Sequence, residues 1–466
     1  MGGLFGVISK SDCTKDLFYG TDYHSHLGTK RGGLAALYHN DYIRYIHDIT
    51  NAQFKSKFEN DITKMQGNSG IGVISDYEDQ PLLIGSHLGN YAIVTVGVIK
   101  NLKELAKTAF LKRTTHFSEM SGGEINPTEL VATLINQEAT FEDGLKNVQE
   151  KIKGSCSILL LTKNGIYATR DRLGRTPLIT GEKEGSYAVA MDTCAFPNLD
   201  YEVNKYLGPG EVVFISQDGI EQKVPPGERL QICAFLWVYY GYPASSYENI
   251  NVEVVRYKCG ALLAKNDNIE LDLVGGIPDS GTGHAIGYVN EAKIPYKRPF
   301  VKYTPTWARS FMPQNQEHRN LIARMKLIPI REIIENKKIL FCDDSIVRGT
   351  KLKDIIQRLY DYGAREVHMR PACPPLVYGC KFLNFSRSRS ELDLAARKEI
   401  KNMEGKDSKN LSDYSCAGKE KYQMMVKRIA ERLNLTTLKY QRLNDLIKAI
   451  GLPKEKLCTY CWDGKE

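Results

Sequence analysis

The chain has 466 residues, enough for about three domains of ordinary size. With 42% hydrophobic and 25% charged residues it has the balance of a globular protein, and no run of about 18 apolar residues predicts a membrane span. The amino terminus lacks a basic stretch followed by an apolar core, so no secretory leader is expected, and Gly6 breaks the pattern for lipidation at Gly2. Net charge is +8, which fits either a lysine-rich surface or a polyanionic ligand. No zinc-finger spacing or aromatic RNA-binding signature is present, so no nucleic-acid partner is expected. Eleven cysteines in a chain that reads as cytoplasmic favour free thiols or metal ligands over disulfides.

In chain order, the first 230 residues read as short strands bounded by Gly, Asn and Asp turns. The predicted strands are 4–8, 70–75, 81–85, 91–98, 156–162, 165–169, 187–191 and 211–215. One helix is predicted over 127–136, where Leu130, Val131 and Leu134 share a face. This is the pattern of an antiparallel α+β domain. After Pro225-Pro226-Gly227 it changes. Strands are predicted at 269–277, 295–302, 338–342 and 366–370. A helix follows the third, with Leu352, Ile355, Ile356 and Leu359 on one face. Alternation of this kind predicts a parallel α/β sheet. A lysine-rich section, 387–466, is predicted to be helical over 422–433 and 443–450, with a polar, mobile stretch at 404–421.

The chemistry concentrates in CDDSIVRGT, residues 342–350. An apolar strand ends in Asp343 and Asp344, then Ser345, Arg348, Gly349 and Thr350 lead into a helix. Open α/β sheets bind ligands beyond the carboxyl ends of their strands. A glycine-containing turn into a helix presents amides to a phosphate, and adjacent acids suit ribose hydroxyls and Mg²⁺. By itself the run also suits a plain strand–turn–helix with an acidic cap.

The whole arrangement resembles the phosphoribosyl pyrophosphate signature of type I phosphoribosyltransferases, and of the amidophosphoribosyltransferase family in particular. Further segments in the same order carry the resemblance: IPDSG (277–281), GHAIGYVNEAKIPY (283–296), RSFMPQNQEHR (309–319), RDRLGRTPL (170–178) and YLGPGEVVFI (206–215). It implies three sections. Residues 1–230 would be a class II glutamine amidotransferase-like αββα sandwich of the N-terminal-nucleophile type. Residues 231–386 would be the phosphoribosyltransferase domain, and 387–466 the helical tail. It further implies formation of 5-phosphoribosylamine for purine synthesis. Pro278, Asp279, Ser280 and Gly281 would cradle pyrophosphate, and Asp343, Asp344 and Ser345 would hold ribose. Arg348, Gly349 and Thr350 would hold the 5-phosphate. Mg²⁺ would sit at Ser280, Asp343 and Asp344, and Lys302 and Arg309 would belong to a loop closing over substrate. Cys233, Cys380, Cys458 and Cys461 match the ligands of a [4Fe–4S] cluster in the iron–sulfur branch, leaving the other seven cysteines as core residues. Purine nucleotides as inhibitors and a homo-oligomer are also implied.

The departures are as informative. The family's amidotransferase uses a terminal cysteine whose own amine is the base. Here that position is Gly2, and Cys13 is not terminal. The family's glutamine-binding arginine is replaced by Ser75, the oxyanion asparagine by Val96 (beside Gly97) and the amine-binding aspartate by Pro127. No catalytic residue is therefore expected in the N-terminal domain, and ammonia, free or from a donating partner enzyme, becomes the expected nitrogen source. The loop segment KYTPTWARSF, Lys351 and Leu236 also differ from the family. Two other readings stay open: a non-catalytic regulatory paralogue that binds phosphoribosyl pyrophosphate or purine nucleotides, and a transferase with another acceptor.

Overall fold

The structure is a computed structural model that describes residues 2–111, 117, 120–121, 124–303, 327–383, 391–405, 408 and 410–466. Two antiparallel sheets make up the N-terminal half. The first runs Glu202–Tyr206, Ile179–Lys183, Ser186–Ala190, Gly3–Ser9, Ser69–Ser75, Arg31–Tyr38, Asp41–Asp48. The second runs Gly219–Val224, Val212–Ser216, Gly165–Thr169, Gly154–Thr162, Gly89–Ile99, Leu82–Ser86. Between them, alternate residues such as Leu4, Val73, Val94, Leu159 and Val213 form one apolar layer. The opposite faces are covered by helices. Phe5 and Ala36 meet Leu17, Phe54 and Phe58, while Ile93 and Leu160 meet Val131, Leu134 and Val148. The order helix, sheet, sheet, helix is the αββα sandwich.

The amino-terminal strand lies at the centre of the first sheet. It pairs on one side with Ser69–Ser75 and on the other with Ser186–Ala190. Residue 2 is thus delivered to the middle of a sheet edge.

From residue 232 onward the sheet is parallel: Leu273–Gly276, Lys338–Asp343, Glu366–Pro371, Thr437–Leu438. Side chains along Lys338–Asp343 alternate. Leu340 and Cys342 join Val255, Cys259 and Ala285 of helices Val252–Lys265 and Thr282–Ala292. Ile339 and Phe341 face the layer of Ile356, Leu359, Ile400 and Ile429 from helices Thr350–Asp361, Ala395–Glu404 and Glu420–Arg432. The lysine-rich section therefore contributes a strand and two helices to the same core.

Four expectations change. The segment 295–302 is not one strand. Pro295 and Pro299 lack the N–H a ladder needs. Tyr296 alone bridges to Val274, and Phe300–Lys302 pairs antiparallel with Leu327–Pro329. The hairpin of Arg31–Tyr38 and Asp41–Asp48 was not anticipated; it turns at His39-Asn40, both at positive φ. Within the polar stretch predicted to be mobile, residues 406, 407 and 409 lie outside the described residues, and the described part is tied back at one point. Tyr414 is buried and its hydroxyl donates to Glu404 Oε1 at 2.8 Å. Of the seven cysteines assigned to the core, Cys416 is exposed.

Candidate active site

The chemistry-bearing residues gather at the carboxyl ends of two adjacent parallel strands, Leu273–Gly276 at the sheet edge and Lys338–Asp343 beside it, where Gly276 lies opposite Cys342. The loop Pro278–Gly281 leaves the first strand and tucks beside the end of the second. A Cβ on Gly281 would overlap the carbonyl oxygen of Cys342, so only glycine permits this approach. The Gly281 amide bonds back to Ile277 O at 2.8 Å, and Thr282 N bonds to Asp279 O at 3.1 Å. The contact places Ser280 Oγ as a donor to Asp343 Oδ1, 3.1 Å away. The Asp344 amide donates to the same oxygen at 2.9 Å, and Ser345 Oγ donates to Asp344 Oδ2 at 2.5 Å. Burial, and then the neighbouring Asp344 carboxylate, hold the Asp343 carboxyl well above the usual carboxylate range. One hydroxyl and two adjacent carboxylates form a hard-oxygen donor set, which fits Mg²⁺.

One turn on, Gly349 stands at φ 74° as the residue before helix Thr350–Asp361. That left-handed conformation reverses the chain so that the first helical amides open toward the strand end. Arg348 pairs with Asp393 at 3.8 Å, and Ala395 N binds Val347 O at 2.7 Å, so the tail braces this turn. Lys302 is ion-paired with Asp279 of the Pro278–Gly281 loop, a contact the sequence did not suggest. Arg309 and the segment 309–319 lie outside the described residues.

The other candidate positions sit at the start of the amino-terminal strand. Gly2 is buried. A Cβ there would overlap the carbonyl oxygen of Ile74 and lie 3.0 Å from Val96 Cγ2. Ser75 spends its hydroxyl on the next turn, donating to Glu78 Oε2 at 3.0 Å and accepting from Tyr77 N at 3.2 Å. Pro127 opens helix Pro127–Ile135, with Asn126 as its cap accepting from Thr128 N at 2.9 Å. Gly97 passes so close to Ser155 O that a Cβ would overlap it.

The four cysteines converge from three segments. Ile232–Cys233 pairs in parallel with Leu457–Cys458, setting Cys233 beside Cys458. Ala234 N donates to Cys458 O at 3.2 Å, and Val377 N and Tyr378 N both donate to Cys461 O at 3.1 Å. Leu383 N donates to Cys380 Sγ at 3.4 Å, and Cys461 is hydrogen-bonded to Cys380. Burial pushes the Cys233 and Cys458 thiols up. Cys461 is raised by its bond with Cys380 and then by burial. Four thiols with this surrounding fit a cluster that would take them as thiolates. Among the described residues no three His, Cys, Asp or Glu side chains converge on a single ion. A polynuclear cluster does not require that, because its ligands attach to different irons.

Sandwich, parallel sheet and strand-end site together define a class: a glutamine amidotransferase-like domain joined to a type I phosphoribosyltransferase domain. A family model described as a glutamine amidotransferase domain matches residues 69–197. The amidophosphoribosyltransferase of Pyrococcus horikoshii is 31% identical over 423 residues, covering 87% of this chain and 90% of that one. That of Methanocaldococcus jannaschii is 29% identical over 493 residues, covering 100% and 97%. A solved structure of the Bacillus subtilis glutamine phosphoribosylpyrophosphate amidotransferase, complexed with ADP and GMP, superposes with a TM-score of 0.85 at 27% identity, covering 99% of this chain and 96% of that one. The chain belongs to the amidophosphoribosyltransferase family.

Proposed function

We propose that this chain forms 5-phosphoribosylamine from phosphoribosyl pyrophosphate and ammonia, with an N-terminal domain that serves as scaffold and has no glutaminase activity. The contact of Ser280 with Asp343, next to Asp344 and one turn from Gly349, carries the first half. The crowded, side-chain-free Gly2 carries the second.

In this reading Asp343, Asp344 and Ser345 orient the ribose, and Arg348, Gly349 and Thr350 grip the 5-phosphate through charge and helix amides. The Pro278–Gly281 loop takes pyrophosphate. The anion displaces Asp279 as the partner of Lys302. Ser280, Asp343 and Asp344 hold Mg²⁺, which when bound offsets the charge that develops on the leaving pyrophosphate. Ammonia reaches C1 from solution or from a donating partner enzyme. Cys233, Cys380, Cys458 and Cys461 hold a [4Fe–4S] cluster that fastens the carboxyl-terminal segment. Purine nucleotides act as inhibitors and the chain works as a homo-oligomer, as expected from its relatives.

The test is anaerobic pyrophosphate release from phosphoribosyl pyrophosphate and Mg²⁺, with ammonium and with glutamine in parallel. Release with ammonium alone supports the reading. Release with glutamine contradicts the loss at Gly2. Substrate binding with no release under either condition favours a regulator or another acceptor.

A further inference from the structure

One loop of the N-terminal domain reaches the cysteines. Leu173 O accepts from Gln231 N at 2.7 Å and Arg175 O from Cys233 N at 3.1 Å, so the loop backbone lies along the strand that carries Cys233. The Arg175 side chain turns inward and is 4% exposed. Its guanidinium carbon lies 3.6 Å from the ring centroid of Phe382, two residues past Cys380. Its oxygen partners are remote, Gly154 O at 3.5 Å and Gln231 Oε1 at 3.4 Å, and Nε has no hydrogen-bond partner. Its charge acts on the Cys458 thiol and, further out, on the Glu466 carboxylate. The Lys100 ammonium approaches the same Phe382 ring at 5.8 Å, and Lys381 stands 4.7 Å from the ring of Tyr460.

A buried guanidinium this thinly coordinated is costly unless a negative charge lies against it. Neutral thiols do not supply one, and the nearby Glu466 carboxylate is ion-paired with Lys381 instead. An iron–sulfur cluster with four thiolate ligands carries net negative charge, and hydrogen bonds to its sulfurs tune its stability and potential. We propose that Arg175 is a positioning residue of the cluster: its guanidinium, stacked on Phe382, supplies an N–H···S hydrogen bond to Cys458 and a fixed positive charge beside the cluster. The proposal rests on reading the four cysteines as cluster ligands. It gives the N-terminal domain a task that the missing nucleophile does not touch, because it ties that domain to the carboxyl-terminal tail.

The test uses the full chain, prepared anaerobically, as wild type, Arg175→Gln and Arg175→Lys. Iron and sulfide content, decay of the visible absorbance in air, midpoint potential by dithionite titration and thermal unfolding are measured. The wild type is expected to hold the cluster. Arg175→Gln is expected to bleach on the order of tenfold faster, with a more negative potential, since a lost positive charge and hydrogen bond disfavour an added electron. Arg175→Lys keeps the charge but loses the planar fork, and should fall between the two. Iron-free wild type would overturn the cluster reading itself. An iron-loaded Arg175→Gln with wild-type bleaching and potential would overturn the role of Arg175 alone. Should Arg175→Gln not fold, unchanged decay and potential in Arg175→Lys would overturn it equally.

Discussion

The chain holds two strand-end regions that are built in opposite ways. At the start of Gly3–Ser9 the space beside residue 2 is occupied by backbone and by Val96, with Gly2 pressed against Ile74 O. At the end of Lys338–Asp343 the space is lined with a hydroxyl, two carboxylates and a helix terminus. Both strands are paired on both sides, the first buried throughout and the second buried except at its two ends. The contrast shows that packing and chemistry are stored in different residues. Alternate apolar side chains hold a sheet together, while activity rests on a few atoms at its rim. Those atoms can vanish without the sheet noticing.

The comparison can be broken most sharply at the rim with chemistry. Asp343→Asn should lower ammonium-dependent pyrophosphate release by on the order of 100-fold or more while leaving the thermal midpoint close to wild type. A variant with full activity would remove Asp343 from the site.

Both halves should be acid-sensitive, the C-terminal one through His284, whose pKa burial lowers to about 3, and the N-terminal one through His24. His24 is enclosed, Nδ1 bonded to Gly20 O at 2.7 Å and Nε2 accepting from Asp192 N at 3.2 Å, and burial lowers its pKa to about 4. Above pH 6.5 the imidazole is neutral folded or unfolded. As pH falls from 6.5 toward 4 the unfolded chain takes a proton that the native one refuses, so stability declines by up to about 3 kcal/mol. Denaturant midpoints between pH 7 and 4 measure it, and His24→Gln should flatten the slope.

Gly349→Ala forces a Cβ into the left-handed region, 3.2 Å from Leu433 Cδ2. It should raise the KM for phosphoribosyl pyrophosphate by about tenfold, the equivalent of the lower end of such strain. The smallest effect on turnover belongs to Gly2→Cys. Ammonium-dependent release should stay within about twofold of wild type and glutamine-dependent release should stay absent, with a stability loss of about 1–3 kcal/mol from overpacking. Glutamate production by this variant would show that the N-terminal site is merely disarmed rather than rebuilt.

Much of this was legible in the chain. Strand Gly165–Thr169 and helix Leu443–Ile450 match their predicted bounds, because turn residues and a 3.6-residue period mark them. The hairpin beginning at Arg31 hid behind Gly32, Gly33 and a scatter of charges on its exposed partner strand. Helix Phe141–Lys151 hid because its buried face is carried by Gly144, Leu145, Val148 and Gln149 alone. The acid pair was visible as a motif, and its contact with Ser280 followed from the order of two parallel strands. The ion pair of Lys302 with Asp279 and the approach of Arg175 to Cys458 had no signal, since long side chains meeting across distant loops leave no period or spacing.

The central placement of the first strand also bears on synthesis. Gly3–Ser9 is made about 180 residues before one of its two flanking partners, Ser186–Ala190. At 5–20 residues per second its apolar edge waits roughly 10–35 s for that neighbour. The other half closes later still, since Leu457–Cys458 must return to Ile232–Cys233. Nascent chains of this protein therefore carry unpaired apolar edges for long stretches of translation, and growth temperature and chaperone supply should govern its yield more than the stability of the finished fold.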